Sequence, residues 1–356
     1  MFLNNKLKFT DVFFSVAVIS LFSFITLSCS KGEKDSAWKN WPWTREETNP
    51  SIVTLGWTNM DTAYMPLPKY ISVYKSPETL QNRTATAFIT VADMSKATFN
   101  ILGDVSWNDK AQGFGAPTVK TPSQFYAGNK SYVIVNGGLF FWDNSAVSSG
   151  FYYSQSLAVR NGKLLAPNQN YYSEDWVNFW YPTVGAFCQM SDGSFKTTWT
   201  YYTEAGVNYS YPSPAANDLG KEPLEVPSAS FPAGAEEFDA RQAIGGVTVL
   251  LKNGEIVNSY KEEMLDVSAD SPQPRSAIGI TSDNKMVIFV CQGREVAGGG
   301  SGFTTAEEAA IMKSLGCTDA LNLDGGGSSC MLVNGKETIT PSDGKERAVL
   351  TAVSIN

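Results

Sequence analysis

Three of the chain's Asn-Gly pairs set its architecture before any chemistry is considered. Asn161-Gly162, Asn253-Gly254 and Asn334-Gly335 each stand between two short runs of strand-forming residues. The flanking runs are 157–160 and 163–165, 247–251 and 255–257, 331–333 and 337–339. A two-residue turn with positive φ at both positions matches the twist of paired strands, and Asn-Gly adopts it at least cost. These pairs therefore commit much of the chain to antiparallel hairpins. Alternating runs at 70–74, 85–91 and 98–102 add strands, as do the apolar runs 131–135, 275–280 and 285–290. One segment reads as a helix. Thr304 and Glu307 form a capping box, Ala309, Ile311, Met312 and Leu315 make an apolar face, and Gly316 supplies the C′ residue. The expectation is an α+β fold on mixed or antiparallel sheet with few helices. A β-rich segment over 51–125 precedes a main domain over 126–356. Between about Asn168 and Asp239 the chain reads as irregular, punctuated by Pro and rich in aromatics. Those rings suit either a satellite core beneath long loops or, for a few, a glycan groove.

The 356 residues contain no histidine. This excludes Ser-His-Asp and Cys-His catalysis and His-ligated zinc, and leaves proton transfer to carboxylates, Tyr, Lys or a metal. The net charge of −8 argues against a nucleic-acid partner. Lys6 and Lys8 precede an apolar run from Val12 to Leu27, followed by Ser28-Cys29-Ser30 and a charged stretch. This pattern resembles a bacterial lipoprotein signal over 1–29, with Cys29 as the lipid attachment site and 30–50 as a tether carrying Trp38, Trp41 and Trp43. It implies an exported, membrane-anchored protein, periplasmic or on the cell surface. The other four cysteines, Cys188, Cys291, Cys317 and Cys330, lack CxxC spacing and are as compatible with buried thiols as with bridges.

Two strand ends carry a polar residue ahead of glycines. The strand 131–135 runs into Asn136-Gly137-Gly138-Leu139-Phe140-Phe141, and the run 319–323 delivers Asp324 into Gly325-Gly326-Gly327-Ser328-Ser329. Consecutive glycines let main-chain N–H groups converge on an anion. The same residues also suit a tight turn with an Asx-type hydrogen bond.

From Gly302 to Ile355 the sequence resembles the C-terminal half of the phosphodiester glycosidase family. The residues that carry this are Thr304…Glu307, Ser314-Leu315-Gly316, the Asp319–Ser329 run and Pro341-Ser342-Asp343-Gly344-Lys345-Glu346-Arg347. Pro274-Arg275-Ser276-Ala277 and Asn136-Gly137-Gly138…Phe141 are similar to two further family motifs, in the family's order. The resemblance implies hydrolysis of a sugar-1-phosphodiester, such as an N-acetylglucosamine-1-phosphodiester, in a glycan or cell-surface polymer. Such a reaction expels a phosphate monoester, so the site needs an anion cradle and a carboxylate near the anomeric carbon. On this reading Asp324 is nucleophile or base, and Arg275 forks the phosphate with help from Ser276 and Arg294. Gly325, Gly326, Gly327 and Ser328 complete the cradle. Asn136 and Asn322 position sugar hydroxyls or Asp324, Gly137 and Gly138 line the site, and Glu307 is a second carboxylate or a helix cap. Where family members often carry Asp-Gly-Arg, this chain has Gln292-Gly293-Arg294. If that Asp is an acid or base, activity here is weakened or altered, and the alternative is a non-catalytic glycan-binding surface lipoprotein. No cofactor is required; Asp143 and Asp324 with nearby carbonyls are compatible with Ca²⁺, with no spacing that demands it.

Overall fold

The three Asn-Gly hairpins form as expected. Asn161, Asn253 and Asn334 have φ of 53, 51 and 49°, and the glycines after them 74, 82 and 73°. Each joins an antiparallel strand pair. In a computed structural model of the protein, residues 45–145 and 150–356 are described, and residues 45–356 make one compact unit. The signal reading and residues 30–44 of the tether, including Cys29 and the three tether tryptophans, lie outside the described residues. Residues 45–50 are corrected from tether to part of the unit, with Arg45 paired to Asp61 at 3.1 Å and Asn49 buried.

An eight-stranded sheet runs through the middle, in the order 58–59, 71–75, 87–93, 285–291, 275–281, 317–322, 249–252, 255–256, every pair antiparallel. The strands Ile71–Lys75 and Ala87–Asp93 belong to it. The 51–125 segment is thus built into the same sheet as the later motifs, and no break in the fold falls near residue 125. The helix Thr305–Ser314 carries the expected capping box. It packs Ala309, Ile311 and Met312 against Leu250, Ala277, Phe289 and Ala320 on one face of the sheet. On the other face, Ile278, Ile288, Leu321 and Leu323 join a larger core shared with the remaining sheets. Burying each such aliphatic side chain contributes about 1.5–3 kcal/mol, which makes this layering the main source of stability.

The segment read as irregular is the largest departure. It contains the strands Val184–Met190, Phe195–Tyr202 and Asn208–Tyr211, three adjacent strands of a seven-stranded sheet. Thr and aromatic residues on both sides of Ser191-Asp192-Gly193-Ser194 carried that signal. Trp199, Tyr201 and Tyr211 are buried within the unit, whereas Trp176 stays 73% exposed. A second helix, Pro122–Asn129, opens on a Thr121/Gln124 capping box.

A five-stranded sheet, ordered 336–337, 331–333, 133–136, 352–355, 99–102, lies beside the eight-stranded one. The chain crosses from one sheet to the other between Asn322 and Met331, and the glycine-serine run is that crossover.

Candidate active site

Asp324 stands where the strand Cys317–Asn322 leaves its sheet. Leu323 N–H donates to the Ser276 carbonyl at 2.8 Å, and Asp324 N–H to the Gly137 carbonyl at 3.1 Å, so the two motif-bearing strand ends are clipped together. Asn136 completes the clip. Its Nδ2 donates to the Asp324 carbonyl at 2.6 Å, while its Oδ1 accepts from Ser276 Oγ at 2.7 Å and Cys330 N–H at 3.3 Å. The side chain is fully buried and fully used. Asn136 and Ser276 therefore fix the backbone of Asp324, and neither reaches a sugar.

The glycine run closes on itself. Gly326–Ser328 is a short 3-10 turn with Gly326 at φ +60°. The N–H groups of Gly326, Ser328 and Ser329 donate to the carbonyls of Pro274, Gly325 and Gly326, and that of Gly325 to the Asp324 carboxylate. The expectation of an open anion nest is corrected accordingly, because most of these donors already have acceptors. The glycines serve a different need. A Cβ on Gly327 would lie 2.0 Å from Arg347 Nη2 and 2.3 Å from Asp343 Oδ2, and one on Gly326 would lie 2.9 Å from Arg294 Nη2. Two guanidinium groups rest on this bare backbone. Gly137 and Gly138 are likewise packed tight, a Cβ meeting Thr351 Oγ1 at 2.3 Å and Ser156 Cβ at 2.3 Å.

Arg347 is the cation nearest the carboxylate chemistry. Its Nη1 lies 3.5 Å from Ser328 Oγ, and its Nε and Nη2 donate to Asp343 Oδ2 at 2.9 and 2.7 Å. The Ser328 hydroxyl in turn favours the ionised Asp324 carboxylate. Burial pushes the Asp324 carboxyl up to about 6, against the pull of Ser328, Arg347 and the Gly325 N–H. Arg294 is exposed and donates to Gln273 Oε1 at 3.2 Å.

Arg275 is a different case, and its assignment as a phosphate fork is corrected. Only 1% of the residue is exposed. Its Nε donates to the Phe303 carbonyl at 2.9 Å, Nη1 to Val267 at 2.9 Å, and Nη2 to Ser268 and Ser271 at 2.8 and 3.1 Å. The guanidinium pins the 267–271 loop and has no face left for a ligand. Asn322 is also structural, its Nδ2 donating to the Val247 carbonyl from a site 1% exposed. Glu307 caps its helix through Thr304 and pairs with Arg83 at 2.7 Å, which rules out its use as a second carboxylate at Asp324. Gln292 is buried with its side chain against Gly299. Both Asp143 oxygens accept from Ser145, its N–H at 2.7 Å and its hydroxyl at 3.1 Å. Cys188, Cys291, Cys317 and Cys330 are free and buried.

Arg347 and Asp343 stand within the Pro341–Arg347 motif, yet nothing in the sequence alone sets them above Arg275. Two further carboxyls were also unmarked. Glu263 is buried and accepts from Trp199 Nε1, Ser259 Oγ and the N–H groups of Val249 and Gly185, and burial raises it to about 7. Glu308 is buried with no hydrogen-bond partner among the described residues, and burial raises it to about 8 against the pull of Arg275. A cavity of about 630 Å³ lined by Tyr172, Asn217, Lys221, Tyr260 and Leu265 includes none of the Asp324 cluster.

The fold matches solved structures at low identity. The zebrafish N-acetylglucosamine-1-phosphodiester alpha-N-acetylglucosaminidase catalytic domain, auto-inhibited by its pro-peptide, is 18% identical at a TM-score of 0.52, over 82% of this chain and 85% of that one. A hypothetical protein from Synechocystis (14%, TM-score 0.52) is matched over 84% of this chain and 63% of its own. A putative exported protein from Burkholderia pseudomallei (15%, TM-score 0.52) is matched over 77% and 74%. The SPbeta prophage-derived uncharacterized protein YomE of Bacillus subtilis is 43% identical over 83 residues, which span 23% of this chain and 13% of that protein. The phosphodiester glycosidase model matches residues 129–356, more than half of the chain and all of the Asp324 cluster. The chain belongs to the phosphodiester glycosidase family.

Proposed function

We propose that this protein hydrolyses a sugar-1-phosphodiester, of the N-acetylglucosamine-1-phosphodiester kind, with Asp324 as its working carboxylate. The observation that carries the reading is a raised carboxyl, Asp324, on which Ser328 and Arg347 both act, with Arg347 Nη1 3.5 Å from the Ser328 hydroxyl over a glycine turn. With no histidine present, a carboxylate raised to about 6 is suited to proton transfer near neutral pH and is ionised above it. In its ionised form it attacks the anomeric carbon or takes a proton from the attacking water. Arg347, with the exposed Arg294 beside it, holds the phosphate as negative charge returns to the leaving oxygen. A phosphate monoester leaves without strong acid help, which suits a site where Gln292 stands in place of a carboxylate. The activity of the similar zebrafish N-acetylglucosamine-1-phosphodiester alpha-N-acetylglucosaminidase supports the substrate class.

The test is incubation with an N-acetylglucosamine-1-phosphodiester, with and without EDTA, following free sugar and phosphate monoester. Release by the parent protein and its loss in Arg347→Ala are expected. Saturable binding of the substrate with no release of sugar would replace this reading with the glycan-binding one. Lipid attachment at Cys29 and export are a companion proposal, checked by the mass of the mature N-terminus and its change in Cys29→Ala.

A further inference from the structure

Behind the glycine turn lies a cluster that the proposed reaction does not use. Cys330, Glu337 and Glu346 each bring one ligand atom, a thiol sulfur or a carboxylate oxygen, and these atoms all lie within 4.8 Å of one another. Cys330 follows the turn two residues after Ser328, Glu337 ends the strand Lys336–Glu337, and Glu346 directly precedes Arg347. Cys330 is 1% exposed among Phe125, Ile134, Leu332 and Val349. Its N–H is taken by Asn136, while its sulfur has no hydrogen-bond partner among the described residues and faces the two carboxylates. Glu337 and Glu346 lie close together, and burial followed by the charge of Glu346 holds the Glu337 carboxyl above its usual range. Ser123 steadies Glu346, its N–H at 2.8 Å and its hydroxyl at 2.5 Å. A buried thiol without a partner and two carboxylates crowded together lack one thing, a cation.

We propose that Cys330, Glu337 and Glu346 form a site for a divalent cation of the zinc class. A hard ion such as Mg²⁺ or Ca²⁺ gains little from sulfur, whereas thiolate with carboxylate oxygen is a donor set for Zn²⁺. Three protein ligands leave the fourth tetrahedral position to water. Binding forms one metal–sulfur and two metal–oxygen bonds, and releases the thiol proton and any proton shared by the carboxylates to solvent. The ion joins the segment that carries Ser328 to the segment that carries Arg347, and so holds the guanidinium over the turn. That consequence for turnover rests on the function proposed above; the binding site does not.

The full chain, stripped by a chelator and kept reduced, is titrated with Cd²⁺, whose bond to thiolate gives an ultraviolet charge-transfer band, with Zn²⁺ as competitor. One saturable equivalent is expected, absent in Cys330→Ser, displaced by Zn²⁺ and untouched by Mg²⁺. Affinity should fall about tenfold or more in Glu337→Gln and in Glu346→Gln. A full band in Cys330→Ser, or unchanged affinity in both Gln variants, overturns the site. If Cys330→Ser fails to fold, the exposed Glu337→Gln decides. Sugar release that drops on stripping and returns with Zn²⁺ supports the link to Arg347, and stoichiometric binding with unchanged turnover overturns that link alone. Absence of sugar release from stripped and loaded protein alike refutes the proposed function and leaves the binding result standing.

Discussion

Replacing Asp324 by Asn separates two effects of one carboxylate. The folded protein holds the Asp324 proton up to about 6, against an ordinary 3.8, because burial disfavours the charge more than Ser328, Arg347 and the Gly325 N–H favour it. Between those values the folded state binds a proton that the unfolded chain has released, so stability falls as pH rises through that window. Above pH 6 the full penalty is present. At about 1.36 kcal/mol per pH unit, the interval corresponds to about 3 kcal/mol. Asn has the shape of the carboxyl and no charge to bury. Asp324→Asn should therefore be more stable than the parent by up to about 3 kcal/mol at pH 7.5 and close to it at pH 3.5. Turnover should fall by about 10³-fold or more, since the group that acts at the anomeric centre is gone. Urea denaturation at the two pH values, with equal m-values, measures the first effect; sugar release measures the second. A stability difference that does not change with pH would refute the burial argument. Near-parent turnover would refute the role of Asp324.

Arg275→Leu should destabilise the protein by about 3 kcal/mol or more, because four backbone carbonyls lose a charged donor. Its kcat/KM, measured well below the melting transition, should fall alike on a phosphodiester and on a neutral aryl glycoside. Arg347→Ala should show the opposite pattern, with stability nearly unchanged and loss concentrated on the phosphodiester. Gly327→Ala should do the same, because its Cβ would displace the far end of Arg347 rather than any backbone. Glu308→Gln should stabilise at pH 9 by about 3 kcal/mol or more and little at pH 4, since burial raises the carboxyl to about 8 despite the pull of the Arg275 guanidinium; equal stabilities at both pH values would show that the group is hydrated.

Features set by neighbours along the chain were legible in the sequence. The three Asn-Gly hairpins, the Thr304–Glu307 capping box, the C′ role of Gly316 and the delivery of Asp324 at a strand end depend on local φ, ψ and spacing. The strands flanking Asp192-Gly193 are equally local, but the Pro-rich aromatic loops around them mask their alternation. The choice between arginines was not local. Arg275, Arg294 and Arg347 are alike as charges, and each stands in or beside a glycine-bearing motif. Packing decided among them. The 267–271 loop folds over Arg275 and takes its donors, while the 341–347 segment lays Arg347 on Gly327 beside Ser328. The direction of a side chain and the claims on its hydrogen bonds follow from which segments meet in space, so only the tertiary structure could say which guanidinium remains near Asp324.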